Sequence, residues 1–363
     1  MNFHLRTENG RYTDLIEKIN EKTTLLMNKH QIVGLSIALI RDGKIVWAKG
    51  YGISNKEKQL HVTTETIFEA ASLTKPVVAY VTLKLSEKSL IDIDKPLTTY
   101  LSKPYLEDQP LLKQITTRHV LSHTTGFPNW GKTRLSPKIF YPPGMRFSYS
   151  GEGYMYLQKV LEKITGQSLE SIIQERVLKP LGIKKASLIW KEEYEETAAV
   201  GYFRDGSLKK KWKPTEAEAA GSLNISPTDY AKFIILMMDQ SQKHDYQLSN
   251  EKLNEMLKPA VPVNDAGLSG RHAVPYSQIT ESKSTFWSLG WGLEKIGLNY
   301  NFWHWGSNGG FKDLIFANPI NKSGILIMSN SERAPYCWTE LLNLAMKGDH
   351  PAFDWLMDFI YNE

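Results

Sequence analysis

Apolar residues recur with a helical period between positions 11 and 29, where Leu15, Ile16, Ile19, Leu25 and Leu26 fall on one side of a helix. The pattern changes at Gly34. Residues 34–49 form two β-rich runs separated by Asp42-Gly43, the dipeptide that best fits a two-residue hairpin turn. A second hairpin is expected near the other end, with strands at 311–317 and 324–329 joined by Asn318-Pro319-Ile320-Asn321-Lys322-Ser323, and Trp287 to Leu293 reads as a further strand. Segments 73–88, 117–123, 151–165, 168–178 and 227–239 read as helices, and helix returns at 334–347 and 351–361. The fold class this implies is α+β: an antiparallel sheet built from both chain ends, flanked by N- and C-terminal helices, with a helical lobe inserted. One domain is expected over 1–363, with an α/β lobe from 1–71 and 270–363 and a mainly helical lobe from 72–269. There is no repeat, low-complexity tract or linker.

Composition adds little to that picture and removes several alternatives. The 363 residues are 41% apolar and 23% charged, ordinary for a globular chain with a sizeable core. Aromatic residues make up 11%, ten of them Trp, which fits ring-lined clefts as well as core packing. A net charge of +5 is weak support for an anionic partner. The dense basic run, Lys209, Lys210, Lys211 and Lys213 around Trp212, reads as a solvated loop, and without a nucleic-acid-binding signature no nucleic acid is expected as a partner. The single cysteine, Cys337, allows neither an internal disulfide nor a cysteine metal site. The N-terminus, Met1-Asn2-Phe3-His4-Leu5-Arg6, turns polar at once, and no stretch approaches the ~20 apolar residues of a membrane span. A cytoplasmic location is therefore expected, or a periplasmic or secreted one if an export signal has been removed.

Candidate chemistry begins with Ser72-Leu73-Thr74-Lys75. A spacing of three on a helix puts Ser72 and Lys75 on one face, a turn apart. A serine hydroxyl is a weak nucleophile until a base takes its proton. A lysine serves as that base only when burial or a nearby cation pushes it toward neutrality. Pro76 is tolerated only in a first turn, which places the helix start at about Ser72 or Leu73 and Ser72 at its positive end. The same pattern occurs at Ser207–Lys210, inside the basic run, and at Ser249–Lys252, where Ser249 reads as a helix cap. Only the copy at 72–75 is embedded in small and apolar residues.

The segment Phe68-Glu-Ala-Ala-Ser-Leu-Thr-Lys-Pro resembles the nucleophile segment of the serine β-lactamase and penicillin-binding-protein superfamily, in particular its class C-like branch. Ile115-Thr-Thr-Arg-His-Val-Leu-Ser-His-Thr-Thr-Gly-Phe-Pro, Pro142-Pro-Gly-Met-Arg-Phe-Ser-Tyr-Ser-Gly, Ala220-Gly-Ser-Leu-Asn-Ile-Ser-Pro-Thr-Asp, Leu289-Gly-Trp-Gly-Leu and His304-Trp-Gly-Ser-Asn-Gly-Gly-Phe resemble later segments of that family, in the same order, from about residue 32 to 335. The resemblance implies that Ser72 carries an acyl group, that Lys75 shares its proton and that Tyr149 is a second general base. A cationic Lys75 would lower the phenol's pKa of about 10. It also implies that His304 faces substrate from an edge strand, that Gly306 permits close approach, and that the backbone N–H groups of Ser72 and Ser307 form an oxyanion hole. Lys322-Ser323-Gly324 matches the superfamily's usual third motif literally but falls in an expected turn, so His304-Trp305-Gly306 is preferred.

Two positions depart from the lactamase pattern. Gly151 stands where the second motif usually carries Asn, and His304 stands where a permanent lysine charge would steer a carboxylate. Both weaken recognition of an acylamino group and a carboxylate without touching Ser72, Lys75 or Tyr149. The expected activity is therefore hydrolysis of an ester or amide through an acyl-enzyme, carboxylesterase- or D-peptidase-like. The alternatives are a β-lactamase or penicillin-binding carboxypeptidase, a non-turnover penicillin sensor, or a structural role. The expected partner is a small-molecule ester, amide or β-lactam, with no cofactor and no metal. Asn129 and Trp130 are candidates to line the cleft. His119 and His123 lack a third ligand and are read as capping and packing residues, Glu192, Glu193, Glu195 and Glu196 as a solvated acidic helix face, and Gly309-Gly310 as a turn.

Overall fold

The computed structural model describes residues 10–130, 138–239, 244–272 and 274–362. Its strands are β1 Gly34–Arg41, β2 Lys44–Asn55, β3 Leu60–His61, β4 Phe68–Glu69, β5 Asn224–Ile225, β6 Val261–Asn264, β7 Glu281–Trp287, β8 Gly292–Ile296, β9 Asn299–Asn308, β10 Phe311–Asn318 and β11 Ser323–Ser329. Its helices are α1 Thr13–His30, α2 Thr74–Glu87, α3 Thr117–Leu121, α4 Gly151–Thr165, α5 Leu169–Ile173, α6 Tyr194–Thr197, α7 Pro227–Met238, α8 Asn250–Met256, α9 Pro335–Ala345 and α10 Pro351–Asn362. Among the described residues no helix is long and apolar enough to cross a membrane.

Nine strands form one antiparallel sheet in the order β3-β2-β1-β11-β10-β9-β8-β7-β6. The two ends of the chain meet where β1 pairs with β11, from Leu35 opposite Ser329 to Ile40 opposite Gly324. The first hairpin turns at Asp42 and Gly43, whose φ values of 50° and 70° are the left-handed pair that matches the twist of the flanking strands. Alternation along the strands gives the sheet two apolar faces. Ile37, Leu39, Leu314, Phe316, Ile325 and Ile327 pack with α1, α9 and α10. Ala38, Ile40, Ile315, Leu326 and Met328 join a second core with α2, α4 and α7.

Three expectations need correction. The run from Trp287 to Leu293 is not one strand: β7 ends at Trp287, β8 begins at Gly292, and the Ser288 N–H closes the turn onto the Trp291 carbonyl at 2.8 Å. The turn stays apolar because it packs onto α2; a Cβ on Gly290 (φ 97°) would lie 2.4 Å from Ala79 Cβ. The helix expected at 168–178 is α-helical to Ile173 and then widens into a π-turn over Gln174–Leu178. Finally, β9 is an interior strand, between β10 and β8. It resembles an edge only locally: β8 pairs with Asn299–Trp303 alone, and the half beginning at His304 borders the turn that carries Ser72.

Candidate active site

Ser72 is set by a tight local construction. The chain leaves β4, passes Ala71 with φ at 47°, makes one 3-10 turn over Ala71–Leu73 and enters α2 at Thr74. A left-handed alanine is strained by about 1–3 kcal/mol, so neighbours must hold it. The Thr74 hydroxyl donates to the Ala71 carbonyl at 2.7 Å and accepts the Leu223 N–H at 3.0 Å. The Tyr230 hydroxyl donates to the Leu73 carbonyl at 2.7 Å, and the Ala70 N–H to the Leu223 carbonyl at 2.8 Å. The Ser72 turn is thus tied to the segment around residue 223 and to α7.

Lys75 is 1% exposed. Its Nζ donates to Ser72 Oγ at 3.1 Å and to the Ala220 carbonyl at 2.6 Å, and sits 5.0 Å from the Tyr149 ring and 5.7 Å from the Tyr154 ring. Burial lowers its pKa to about 7. The Tyr149 hydroxyl is buried and forms no well-aligned hydrogen bond, with only a weak interaction with Ser72. Burial raises its pKa well above that of an ordinary phenol, and Ser72 offsets only part of the rise. The expectation that a cationic Lys75 lowers the Tyr149 pKa is therefore reversed. Desolvation acts on both groups, favouring the neutral amine and the protonated phenol.

His304 is not on the cleft wall. Its ring is fully buried, 6.2 Å from the Tyr149 ring, and its Nδ1–H donates to the Trp305 carbonyl at 2.7 Å. Burial, and then Lys75, bring its pKa down to about 3, so the ring is neutral. The cleft wall on this side is formed by Trp305 and Ser307. At Gly306 the close approach is that of the Ser72 turn and β10: a Cβ there would lie 2.6 Å from both the Ala70 carbonyl and Asp313 Oδ2. Lys312, opposite Ser307 in the register, donates to Ser307 Oγ at 2.7 Å.

The cleft itself has a volume of about 430 Å³ and is lined by Ser72, Tyr149, Asn129, Trp130, Trp212 and Ser307 among others. Asn129 contributes only part of its amide, because its Oδ1 already accepts the Gly151 N–H at 3.0 Å. The Ala220 carbonyl, which holds Lys75, and the cleft-lining Trp212, Trp305 and Lys312 were not singled out in sequence as site residues. A backbone acceptor leaves no side-chain signature, and the other three reach the cleft only through strand register and loop path.

The remaining motifs lie elsewhere. Ser249 caps α8, accepting the Lys252 N–H at 3.2 Å, and Ser207 Oγ donates to Asp205 Oδ1 at 2.6 Å in a turn. Lys322 sits in the β10–β11 turn and pairs with Asp239 at 3.1 Å. His119 completes the cap of α3 with Thr116. His123 is buried against Tyr149, with ring centroids 4.2 Å apart, and its Nδ1 accepts the Ser150 N–H at 3.0 Å. The basic run is less solvated than expected. Lys209 is ion-paired with the buried Glu69, Lys211 donates to the Tyr194 and Glu195 carbonyls at 3.1 and 3.0 Å, and Lys213 pairs with Glu195.

The β-lactamase family model matches residues 15–340. Protein flp of Staphylococcus aureus strain MW2 is 24% identical over 328 residues, which is 85% of this chain and 62% of that protein. The putative penicillin-binding protein PbpX of Bacillus subtilis is 28% identical over 218 residues, 55% of this chain and 54% of that protein. The chain thus spans less than two thirds of the length of these curated relatives. Among solved structures, the octameric penicillin-binding protein homologue from Pyrococcus abyssi superposes with a TM-score of 0.74 at 25% identity, covering 91% of this chain and 77% of that one. The β-lactamase/D-alanine carboxypeptidase from Pseudomonas syringae gives 0.75 at 18% identity, covering 93% and 100%, and shows the shared fold. On the match that runs through the sheet and the Ser72–Lys75 turn alike, the chain belongs to the β-lactamase family.

Proposed function

We propose that the protein is a serine acyl hydrolase in which Ser72 forms an acyl-enzyme. The observation that carries this reading is the buried Lys75 amine, 3.1 Å from Ser72 Oγ, with a pKa brought to about 7. Neutral Lys75 takes the hydroxyl proton as Ser72 Oγ bonds to the carbonyl carbon of an ester or amide. The carbonyl electron pair moves onto oxygen, where the N–H groups of Ser72 and Ser307 hold the oxyanion. When the intermediate collapses, the bond to the leaving group breaks, and the proton reaches the leaving oxygen or nitrogen from Lys75 through the Tyr149 hydroxyl. Water then repeats the sequence on the acyl-enzyme, delivering its proton to Lys75 and releasing the acid and Ser72. His304, buried and neutral, supports Tyr149 from behind and does not touch substrate.

A carboxylesterase- or D-peptidase-like activity fits better than efficient β-lactam hydrolysis, since Gly151 brings no side-chain amide to the cleft and His304 no charge. The penicillin-binding and carboxypeptidase descriptions of related proteins keep β-lactams as useful covalent probes. The test is labelling with a fluorophosphonate and with a β-lactam, followed by intact-protein mass spectrometry over hours. A labelled chain that turns over, with labelling lost in a folded Ser72→Ala variant, supports the proposal. Labelling that persists in that variant removes it, and a permanent β-lactam adduct without ester turnover favours a sensor instead.

A further inference from the structure

The second-motif turn is shaped by what Gly151 lacks. A Cβ built on Gly151 falls 2.9 Å from Trp130 Cζ2, closer than such contacts occur, and 3.0 Å from both Trp130 Cη2 and the Asn129 carbonyl oxygen. A side chain at position 151 would therefore have to displace the tip of the Trp130 indole and would also press on the Asn129 carbonyl. The two residues before the indole are held in place by hydrogen bonds. The Gly151 N–H donates to Asn129 Oδ1 at 3.0 Å, the Glu152 N–H to the Asn129 carbonyl at 3.1 Å, and Ser150 Oγ to the Pro128 carbonyl at 2.8 Å. Three bonds thus pin Pro128–Asn129 to the N-terminus of α4. Trp130 remains 42% exposed and lines the cleft that holds Ser72 and Tyr149. Leu268, Trp305, Phe359 and Ile360 line the same cleft.

We infer that Trp130 is a specificity-determining residue: its ring takes the space of a side chain at 151 and offers substrate an aromatic wall in place of an amide. The acyl groups selected are then bulky and apolar, aryl or branched alkyl, bound by ring contact and not by hydrogen bonds to an acylamino group. This inference rests on the acyl hydrolase reading of Ser72. Gly151 does not have a left-handed backbone and begins a helix, so a larger residue there meets no φ strain and needs only a small shift of the Asn129 carbonyl besides the indole.

The experiment compares kcat/KM for p-nitrophenyl phenylacetate and p-nitrophenyl acetate in the full chain, in Trp130→Ala, in Gly151→Asn and in the double variant. Wild type should prefer the arylacetyl ester. The ratio should fall about tenfold in Trp130→Ala, the scale of one lost apolar contact in a pocket. It should fall similarly in Gly151→Asn, which must displace the indole, and no further in the double variant, because both changes remove one interaction. A ratio that stays at the wild-type value in either single variant, or that falls additively in the double variant, overturns the inference. Ser72→Ala tests the underlying reading separately: hydrolysis of both esters surviving there sinks the acyl-enzyme, whatever the ratio does.

Discussion

The Lys75 amine donates to the Ala220 carbonyl at 2.6 Å while reaching Ser72 Oγ at 3.1 Å. A carbonyl orients the amine without adding a full negative charge, so burial alone decides its protonation, and the pKa settles at about 7. The neutral, base-competent form therefore grows as pH rises through about 7. Acylation of Ser72, read as the burst rate with a p-nitrophenyl ester, should rise with pH and reach half its plateau near pH 7. Lys75→Met keeps the volume and removes the base, and the burst should slow by about 10²–10⁴-fold with the pH dependence gone.

Tyr149 separates chemistry from stability. Its hydroxyl is buried and meets Ser72 only weakly, so Tyr149→Phe removes a poorly satisfied polar group and the melting temperature should stay level or rise. Turnover should nevertheless fall by about 10²–10⁴-fold, because the phenol proton is then missing from the path to the leaving group. A variant of full activity would show that protons travel another way.

Gly306→Ala should injure both properties at once. The added methyl would meet the Ala70 carbonyl and Asp313 Oδ2 at 2.6 Å, and both belong to closely packed elements. Overpacking of this kind costs about 1–3 kcal/mol, and relief must come from moving β9 away from the Ser72 turn. Denaturant titration and fluorophosphonate labelling of the same sample should show lower stability and slower labelling together.

A pH-dependent clasp holds α10 on the sheet. Both ring nitrogens of His350 face acceptors, Nδ1 a Glu294 carboxylate oxygen at 3.0 Å and Nε2 the Met346 carbonyl at 2.7 Å, an arrangement that favours the imidazolium, which donates from both. Glu294 is fully buried and also accepts from Asn301 Nδ2 at 3.0 Å and from the Ala352 N–H at 3.2 Å. Burial acts to lower the His350 pKa, but the bonds to Glu294 and Met346, the Glu294 charge and the nearby Asp354 outweigh it, and the net shift is upward. The folded-state pKa lies above the unfolded one, so the stabilisation is complete below about pH 6.5 and is lost as pH rises through the folded value. Melting temperature should fall between pH 6.5 and 9 in wild type. Glu294→Gln should flatten that slope and cost about 3 kcal/mol, the scale of a broken buried pair. An unchanged slope in Glu294→Gln would assign the pH dependence to other groups.

Lys322→Ala tests the literal motif match. Its ion pair with Asp239 is partly exposed, which makes it worth about 0.5 kcal/mol, and ester turnover should be unaffected. Lost turnover would mean that the β10–β11 turn reaches the chemistry.

Much of this arrangement was legible before any fold was known. The hairpin at Asp42-Gly43, the helices at 151–165 and 227–239 and the strands on either side of residues 318–323 follow from periodicity and turn chemistry, which act over a few residues. So does the pairing of Ser72 with Lys75, because a helical turn brings them together whatever surrounds it. The apolar run from Trp287 to Leu293 was misread because packing on α2 buries a turn as thoroughly as a strand.

What the tertiary structure alone decided is the state of each group. Lys75 loses its proton near pH 7 because elements distant in sequence exclude water from it, and the Ala220 carbonyl that orients it comes from 145 residues away. His304 fits a sequence motif yet is turned into the core behind Tyr149, while Trp305 and Ser307 take the cleft wall. Motif spacing sets which residues share a turn or a strand face. Solvation, and with it protonation and access to substrate, depends on everything packed around them, and no local pattern records that.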